Sequence, residues 1–244
     1  MDATAYRSLR DLQDRHWWFV GRRAIVENLI RRFAILPDRA KILEAGCGYG
    51  GNLAMLGKFG EIDAFEYDKA ARDYAAALAK RSVAYGHLPD HVGFDDTGFD
   101  LIAMLDVLEH IDDDAASLRA LRARLAVGGS IILTVPALPG LWSTHDEIHH
   151  HKRRYTRAQL IAVLQNAGLA PVSVGYFNTL LFPLALIQRL ALRLRTRGHG
   201  ADAIPRRPLN WLFSQIFAFE RRFVGRIPMP IGLSLYAVAR LAAS

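Results

Sequence analysis

The sequence of 244 residues has little that would suit a secreted or membrane-spanning chain. Its one cysteine, Cys47, excludes an internal disulfide and fits a reducing compartment. Charged residues are absent from 158–188, but a helical pattern, a glycine turn and a strand occupy most of that span. The remainder, 178–188, is too short to cross a bilayer. The charged N-terminus does not resemble a signal peptide, so we expect a cytoplasmic protein.

The cations do not form a single block, although the net charge is +7. They concentrate at 22–32, 152–157 and 189–226. In the last stretch they alternate with large apolar residues, a pattern that suits an anionic membrane surface better than a nucleic-acid groove. We therefore expect no nucleic-acid partner, and we expect peripheral contact with the inner membrane face.

Short apolar runs alternate with helical patterns from residue 41 onward, which predicts an α/β fold. The predicted strands lie at 41–45, 62–66, 83–86, 99–105, 130–136, 171–177 and 233–240. The predicted helices between them lie at 51–58, 69–80, 113–126 and 156–167. The pattern therefore predicts a doubly wound, mostly parallel sheet of seven strands.

Two segments lie outside this alternation. Residues 5–35 show two helical patterns, and Pro37 ends the second. Residues 178–229 show two amphipathic helices, the second rich in aromatic residues. We expect a helical lid at 1–38, a core formed by 39–177 and 230–244, and an amphipathic insertion at 178–229.

A glycine-rich loop, E-A-G-C-G-Y-G-G, follows the first predicted strand. Gly46, Gly48 and Gly50 let the backbone approach a ligand, although such a loop also occurs at ordinary strand-helix turns. Glu66 ends the next strand, where an acid binds the hydroxyls of a ribose. The loop lacks the G-x-G-x-x-G spacing of dinucleotide sites, and Glu44 precedes it. An acid there suits the sulfonium cation of S-adenosylmethionine (SAM), which has no phosphate.

This loop, with F-E-Y-D, F-D-L-I-A-M-L-D-V-L-E-H-I and L-A-V-G-G-S-I-I-L-T-V-P, resembles the class I SAM-dependent methyltransferases. The chain is similar in particular to the ubiquinone-biosynthesis methyltransferases, over about 40–177 and the final strand. The resemblance implies a Rossmann-like methyltransferase fold. It also implies a set of SAM-binding residues, namely Glu44, Gly46, Gly48, Gly50, Glu66 and Asp106. The family usually has an acid at the adenine, where this chain has His87, so His87 or a backbone group is expected there.

The segment S-T-H-D-E-I-H-H-H-K-R-R-Y at 143–155 follows the fifth predicted strand. A subset of the family has L-W/Y-x-x-x-D and then H-x-R-R-Y at this place. That resemblance implies that His151 is the catalytic base, oriented by Asp146, and that Arg153, Arg154 and Tyr155 line the acceptor site. His110, in D-V-L-E-H-I, is a second catalytic candidate, or it simply packs at the start of a helix.

A metal site is the alternative interpretation of this histidine-rich segment. His149 and His151 can share an ion if the segment is extended. The spacing shows no H-x-x-x-H on a recognised helix and no cysteine ligand, so we predict no metal. The other histidines, on a third interpretation, only solvate a loop.

The N-terminal D-R-H-W-W-F-V-G-R-R at 14–23 also recurs in this subset of the family. We expect Trp17 or Trp18 to face the acceptor site and Arg22 or Arg23 to contact the acceptor. Ordinary packing of the helix on the sheet is the alternative.

The function expected is transfer of a methyl group from SAM to a hydroxyl of an amphiphilic, lipid-linked or quinone-like small molecule. Methylation of carbon or nitrogen stays open. The alternatives are a soluble small-molecule or sugar methyltransferase and a non-catalytic SAM-fold adaptor at the membrane. An NAD-dependent oxidoreductase is disfavoured by the glycine spacing.

Overall fold

One seven-stranded sheet forms the centre of the molecule. The computed structural model describes residues 10, 12–94, 97–193 and 205–242, and for 188–193 the backbone alone. The strands are β1 (Ala40–Ala45), β2 (Gly60–Glu66), β3 (Ala84–Tyr85), β4 (Phe99–Leu105), β5 (Leu125–Pro136), β6 (Leu169–Phe177) and β7 (Ser234–Leu241). Their order is β3-β2-β1-β4-β5-β7-β6, and only β7 runs antiparallel to its neighbours.

Helices cover both faces of this sheet. They are α1 (Trp17–Phe33), α2 (Leu53–Leu56), α3 (Lys69–Ala79), α4 (Asp114–Arg122), α5 (Thr144–Ile148), α6 (Arg157–Asn166), α7 (Phe182–Arg193) and α8 (Arg207–Glu220). Apolar side chains of α1, α2 and α8 form one core with the sheet, and those of α4 and α6 form the other. Burial on both sides explains why the strands are continuous apolar runs.

The predicted fold class is confirmed, and most predicted elements are present. Three of the helices directly follow a residue whose side chain accepts a hydrogen bond from the first turn. Asp68 accepts from Ala71 N (2.9 Å), and Asp113 accepts from Ala116 N (2.8 Å). Thr156 forms a capping box at the start of α6. Short polar side chains at these positions satisfy N–H groups that the helix itself leaves unpaired.

The predicted boundaries were wrong around β5 and α2. The predicted helix over 113–126 ends at Arg122, because Leu125 already pairs with Phe99 of β4 and its side chain is buried. The helix expected over 51–58 is a single turn, since Gly57 ends it immediately. A helical pattern in the local sequence does not show where the backbone leaves the helix to pair with a neighbouring strand.

The N-terminal helix α1 and the helix α8 pack tightly together. Trp17 lies edge-on to Phe213 and Phe217, with ring centroids 5.6 Å apart in both pairs. Asn210 accepts from Trp17 N at 3.0 Å. At Gly21 a Cβ atom would lie 2.2 Å from Cδ1 of Phe217, so only glycine permits this approach. The segments named lid and insertion therefore share one apolar core with the sheet, whereas the lid role itself stays a prediction.

Two further expectations concern the first helical pattern within residues 5–35 and whether any segment could cross a membrane. The first predicted helix lies mostly outside the described residues. Among the helices that the structure describes, none is both long enough and apolar enough to span a bilayer.

Substituting Gly21→Ala should lower the free energy of unfolding by about 1–3 kcal/mol, because the added methyl group forces α1 and α8 apart. Urea unfolding followed by tryptophan fluorescence measures this change. In a Phe217→Ala background the same substitution should cost much less, since the contacting ring is gone. If the two substitutions lowered the free energy of unfolding additively, the Phe217 ring would not be the reason that position 21 requires glycine.

Candidate functional site

The candidate site lies at the carboxyl ends of three neighbouring strands, β2, β1 and β4. Glu66 is the last residue of β2, Glu44 precedes the end of β1, and Asp106 follows β4. Ligands of open α/β sheets bind at this edge, where loops from adjacent strands meet. The sheet order therefore brings the predicted cofactor residues together.

The glycine loop after β1 turns back over the end of β2. Gly46, Gly48 and Gly50 have φ angles of +73°, +53° and +80°, a region that glycine adopts without strain. Gly46 N and Cys47 N donate to Phe65 O at 3.0 and 3.1 Å. A Cβ atom at Gly48 would meet no other atom within 4 Å, so this part of the loop borders open space.

Glu66 fixes the loop to the end of β2. Its Oε2 accepts from Gly48 N at 2.8 Å, and its Oε1 accepts from Asp68 N at 2.9 Å. The side chain is buried, with 7% of the residue exposed. The carboxylate thus lies directly beside the loop, where the sequence placed an acid for the ribose.

A buried polar cluster extends from the loop to β5. Asn52 donates to Glu44 Oε1 at 2.7 Å, and Arg22 Nη2 donates to Asn52 Oδ1 at 3.3 Å. Arg22 Nη1 forms an ion pair with Asp106 Oδ2, and Thr134 Oγ1 donates to Asp106 Oδ1 at 3.0 Å. Arg22, which the sequence analysis assigned to the acceptor, therefore lies among the predicted cofactor residues. We call these five residues the acid-arginine cluster.

Sequence reasoning missed Asn52 and Thr134. Asn52 stands at a predicted helix start, where an asparagine indicates a cap. In the structure its side chain makes no capping bond to α2 and binds Glu44 instead. Thr134 lies inside β5, and nothing in its local pattern indicates that it meets the end of β4.

Two atoms of the acid-arginine cluster are buried without a hydrogen-bond partner, Glu44 Oε2 and Arg22 Nε. Burial raises the pKa of Glu44 to about 7, and the hydrogen bond from Asn52 opposes this rise. A carboxyl group in this state is stabilised as an anion by an added cation. The cluster thus offers an acid and a guanidinium with unused hydrogen-bonding capacity, which suits a ligand that carries both charges.

His87 lies one strand further along the sheet, after β3. Its ring centroid is 6.2 Å from that of Tyr67 and 5.8 Å from that of Tyr85. Its backbone N–H donates to His91 O at 2.7 Å. The structure places these rings beside the end of β2, and contact of His87 with an adenine stays a prediction.

The histidine-rich segment begins with a helical turn, whereas an ion shared by His149 and His151 was considered only for an extended segment. Ser143 and Asp146 form a capping box, which begins the short helix α5. His145 and His149 consequently stand one turn apart, and their ring centroids are 4.3 Å apart. The serine–aspartate spacing in S-T-H-D is the sequence signal for this turn, and it was overlooked.

Asp146 is the centre of the segment and is fully buried. Its Oδ1 lies 2.9 Å from His151 Nδ1 and accepts from Arg154 Nε at 2.7 Å. Burial favours a raised pKa, but His151 and Arg154 outweigh it and hold the pKa of Asp146 below its ordinary value. The predicted contact between Asp146 and His151 is present. Arg154 also donates to Ala137 O at 3.1 Å, which bonds the segment to the residue that follows β5.

Arg153 and Tyr155 connect this segment to the start of α4. Arg153 Nη1 and Tyr155 Oη both donate to Asp114 Oδ2, at 2.7 and 2.9 Å. Burial raises the pKa of Tyr155, so the phenol keeps its proton. These contacts position the segment, and acceptor binding by Arg153, Arg154 or Tyr155 stays a prediction.

His110 is the last residue of a 3₁₀ turn, Leu108–His110, which begins two residues after Asp106 of the acid-arginine cluster. Its ring packs against the ring of His151. Their ring centroids are 4.8 Å apart. Burial, and then the neighbouring His151, lowers the pKa of His110 to about 3, so its ring is neutral at physiological pH. Ligand atoms of Glu109, His110 and His151 lie within 4.8 Å of one another, which makes them the candidate metal ligands among the described residues.

Trp18 packs next to Arg22, whose guanidinium carbon lies 5.0 Å from the centroid of the indole ring. Trp18 also lies edge-on to Phe177 and Phe217. Both tryptophans are thus partly buried against α8 and the end of β6. Packing on the core, the alternative interpretation, accounts for these contacts, and substrate contact stays a prediction.

The chain is similar in sequence to a family of known proteins. Residues 16–174 match the family described as "Methyltransferase domain". The chain belongs to this family. A relative named "Probable S-adenosylmethionine-dependent methyltransferase", from Mycolicibacterium smegmatis, is 25% identical over 171 residues. That alignment covers 68% of this chain and 64% of the relative. A "Ubiquinone biosynthesis O-methyltransferase" from Xanthomonas axonopodis is 30% identical over 152 residues, covering 54% of this chain and 64% of the relative.

The chain therefore spans 64% of the length of each of these two relatives. Solved structures agree in fold. A methyltransferase in complex with the Haloferax volcanii Trm112 activator gives a TM-score of 0.63 at 18% identity, covering 100% of this chain and 96% of that one. The geranyl diphosphate C-methyltransferase of Streptomyces coelicolor gives 0.59 at 14% identity, covering 88% and 79%. The resemblance to SAM-dependent methyltransferases is thus confirmed at the level of family and fold.

Proposed function

We propose that the protein transfers a methyl group from SAM to a small-molecule acceptor. The observation that carries this proposal is the acid-arginine cluster beside Gly48. It presents a buried carboxyl group and a buried guanidinium, each with an unpartnered atom, next to a loop with open space above it. The methionine part of SAM carries an ammonium and a carboxylate, so its charges complement this pair.

Each residue of the site then has a defined task. Glu44 binds the ammonium, Arg22 binds the carboxylate, and Glu66 binds the ribose hydroxyls. Asp106 lies beside the sulfonium, where a negative charge is favourable. When bound, SAM supplies an activated methyl group, and the protein mainly aligns the two reactants and excludes water.

The acceptor is an oxygen nucleophile in this proposal, and His151 removes its proton, with His110 beside it. Asp146 accepts from Nδ1 of His151, which leaves Nε2 as the proton acceptor. His110 is neutral beside it and faces the same ring. Such an arrangement of a histidine oriented by a buried carboxylate is typical of general-base catalysis.

An amphiphilic acceptor at the cytoplasmic membrane face is favoured by the surface of α7 and α8. Ile187 and Trp211 are each 64% exposed, and Phe219 is 47% exposed. Exposed arginines lie on and beside α8, namely Arg206, Arg207, Arg221, Arg222 and Arg226. Apolar side chains among cations match the interface of an anionic bilayer. If the protein does not bind vesicles, the acceptor is instead a soluble small molecule or a sugar. If it does not bind S-adenosylhomocysteine, the chain is instead an adaptor without activity.

Binding of S-adenosylhomocysteine, measured by isothermal titration calorimetry, tests the cofactor site. Gly48→Ala should weaken binding at least about tenfold, because the methyl group enters the ligand space and the left-handed backbone disfavours alanine. Gly128→Ala is the matched control, since it has φ +83° and also meets no atom within 4 Å. Both variants should lose similar thermal stability. Equal affinities of the two would contradict the site, and no binding by the wild type would contradict the function.

The raised pKa of Glu44 predicts that this affinity depends on pH. Binding an ammonium requires the ionised carboxylate, so below a pKa of about 7 binding must release a proton. Affinity should be about tenfold weaker at pH 6 than at pH 7.5. In the free protein the same carboxyl favours the folded state at acid pH, and this contribution is lost as pH rises from 4.5 through about 7. The Glu44→Gln variant should lose both dependences, and an unchanged pH profile in that variant would refute the assignment.

Sedimentation with vesicles tests the membrane proposal. The wild type should co-sediment with anionic phosphatidylglycerol vesicles at low salt and dissociate at high salt. The double substitution Ile187→Ser and Trp211→Ser should reduce the bound fraction severalfold. Val127→Ser, at a fully exposed valine outside α7 and α8, should not. A wild type that stays in the supernatant would rule out this acceptor class at a membrane surface.

A further inference from the structure

We propose that Glu109, His110 and His151 bind one divalent transition-metal cation on the acceptor side of the site. The sequence predicted no metal there, and the proposal rests on the proposed function only for the role of the cation. One ligand atom of each residue lies within 4.8 Å of the other two. Around a cation at about 2.0–2.2 Å from each ligand, neighbouring ligand atoms stand about 3–4 Å apart. Small side-chain rotations therefore complete the site.

Glu109 provides a second, independent observation. The residue is 1% exposed, and its Oε2 has no hydrogen-bond partner. A buried carboxylate oxygen without a donor is costly, so it requires a proton or a cation.

The surroundings of His151 are those of a metal ligand. Its Nδ1 contacts Asp146, which leaves Nε2 as the ring atom available to a cation. Asp146 is in turn fixed by Ser143 N at 2.9 Å and by Arg154 Nε at 2.7 Å. A carboxylate that holds the distal nitrogen of a histidine sets the ring orientation and tautomer in many metal sites. The buried aspartate thus orients His151 without joining the ligand set.

The ligand types narrow the choice of cation. Two imidazoles and one carboxylate suit Zn²⁺ or Fe²⁺ better than Ca²⁺, Mg²⁺ or Mn²⁺, which prefer oxygen ligands. Three protein ligands leave at least one position open, as in catalytic sites. Two further histidines lie next to the proposed ligand His151. The ring centroids of His145 and His149 are 6.0 and 5.9 Å from that of His151.

The cation would change how the acceptor loses its proton. A hydroxyl that binds a divalent cation is more acidic, so its O–H bond breaks and the proton passes to solvent. The oxygen then forms a bond to the methyl carbon as the carbon–sulfur bond of SAM breaks, which gives a methyl ether and S-adenosylhomocysteine. His151 serves as a ligand in this route and as the base when no cation is bound.

Metal content after dialysis of the full chain against Zn²⁺, by atomic emission, tests the proposal. Wild-type protein should retain about one ion per chain. Glu109→Gln, His110→Ala and His151→Ala should each lower Zn²⁺ affinity at least tenfold. The matched control is His150→Asn, on the same segment, because His150 is exposed and asparagine tolerates its φ of +55°. This control should bind like the wild type.

S-adenosylhomocysteine binding, measured in the same variants, shows whether each is folded. Glu109→Gln preserves side-chain volume, so it remains informative if an alanine variant unfolds. Zn²⁺ binding that survives in all three ligand variants, or a wild type that binds none, overturns the metal site. A wild type that binds Zn²⁺ but no S-adenosylhomocysteine contradicts the proposed function and supports the metal site.

Discussion

The ion pair between Arg22 and Asp106 joins the N-terminal helix to the functional edge of the sheet. The side chain of Arg22 is 7% exposed, and a buried guanidinium is tolerated only when anions and acceptors surround it. Asp106, Asn52 and the field of Glu44 provide that environment. Helix α1, the glycine loop and the ends of β1 and β4 are consequently held in one arrangement. The predicted cofactor residues Glu44, Glu66 and Asp106 depend on it, because each of them contacts a member of the acid-arginine cluster or the glycine loop.

The acid-arginine cluster and the histidine-rich segment are linked through very few residues. Asp106 follows β4 with a φ of +56°, and Glu109 and His110 lie on the next turn. Lys152 N donates to Glu109 O at 2.7 Å, so the backbone of the segment is bonded to that turn. The backbone that positions the proposed cofactor side thus also positions the proposed acceptor side. A methyl transfer site needs this coupling, since the two reactants must be aligned along one line.

Much of the fold could be predicted because strands buried on both faces give distinct apolar runs, and capping residues mark helix starts. The positions of Glu44, Gly48 and Glu66 at the strand ends were likewise predictable from the strand-loop-helix pattern, whereas their role in cofactor binding stays a prediction. Contacts between distant segments were not. Arg22 was assigned to the acceptor, since nothing local shows that α1 reaches β4. The short helix α5 was missed because its five residues give too little periodicity, and only Ser143 and Asp146 indicated it.

The close approach at Gly21 has a mechanical consequence for the site. Gly21 contacts Phe217 of α8, and the next residue, Arg22, contacts Asp106. The two helices leave no room for even a Cβ atom at this point, so a shift of α8 towards α1 must displace α1 as well. The displaced residue is the neighbour of Arg22, and the outer surface of α8 is therefore mechanically connected to the acid-arginine cluster.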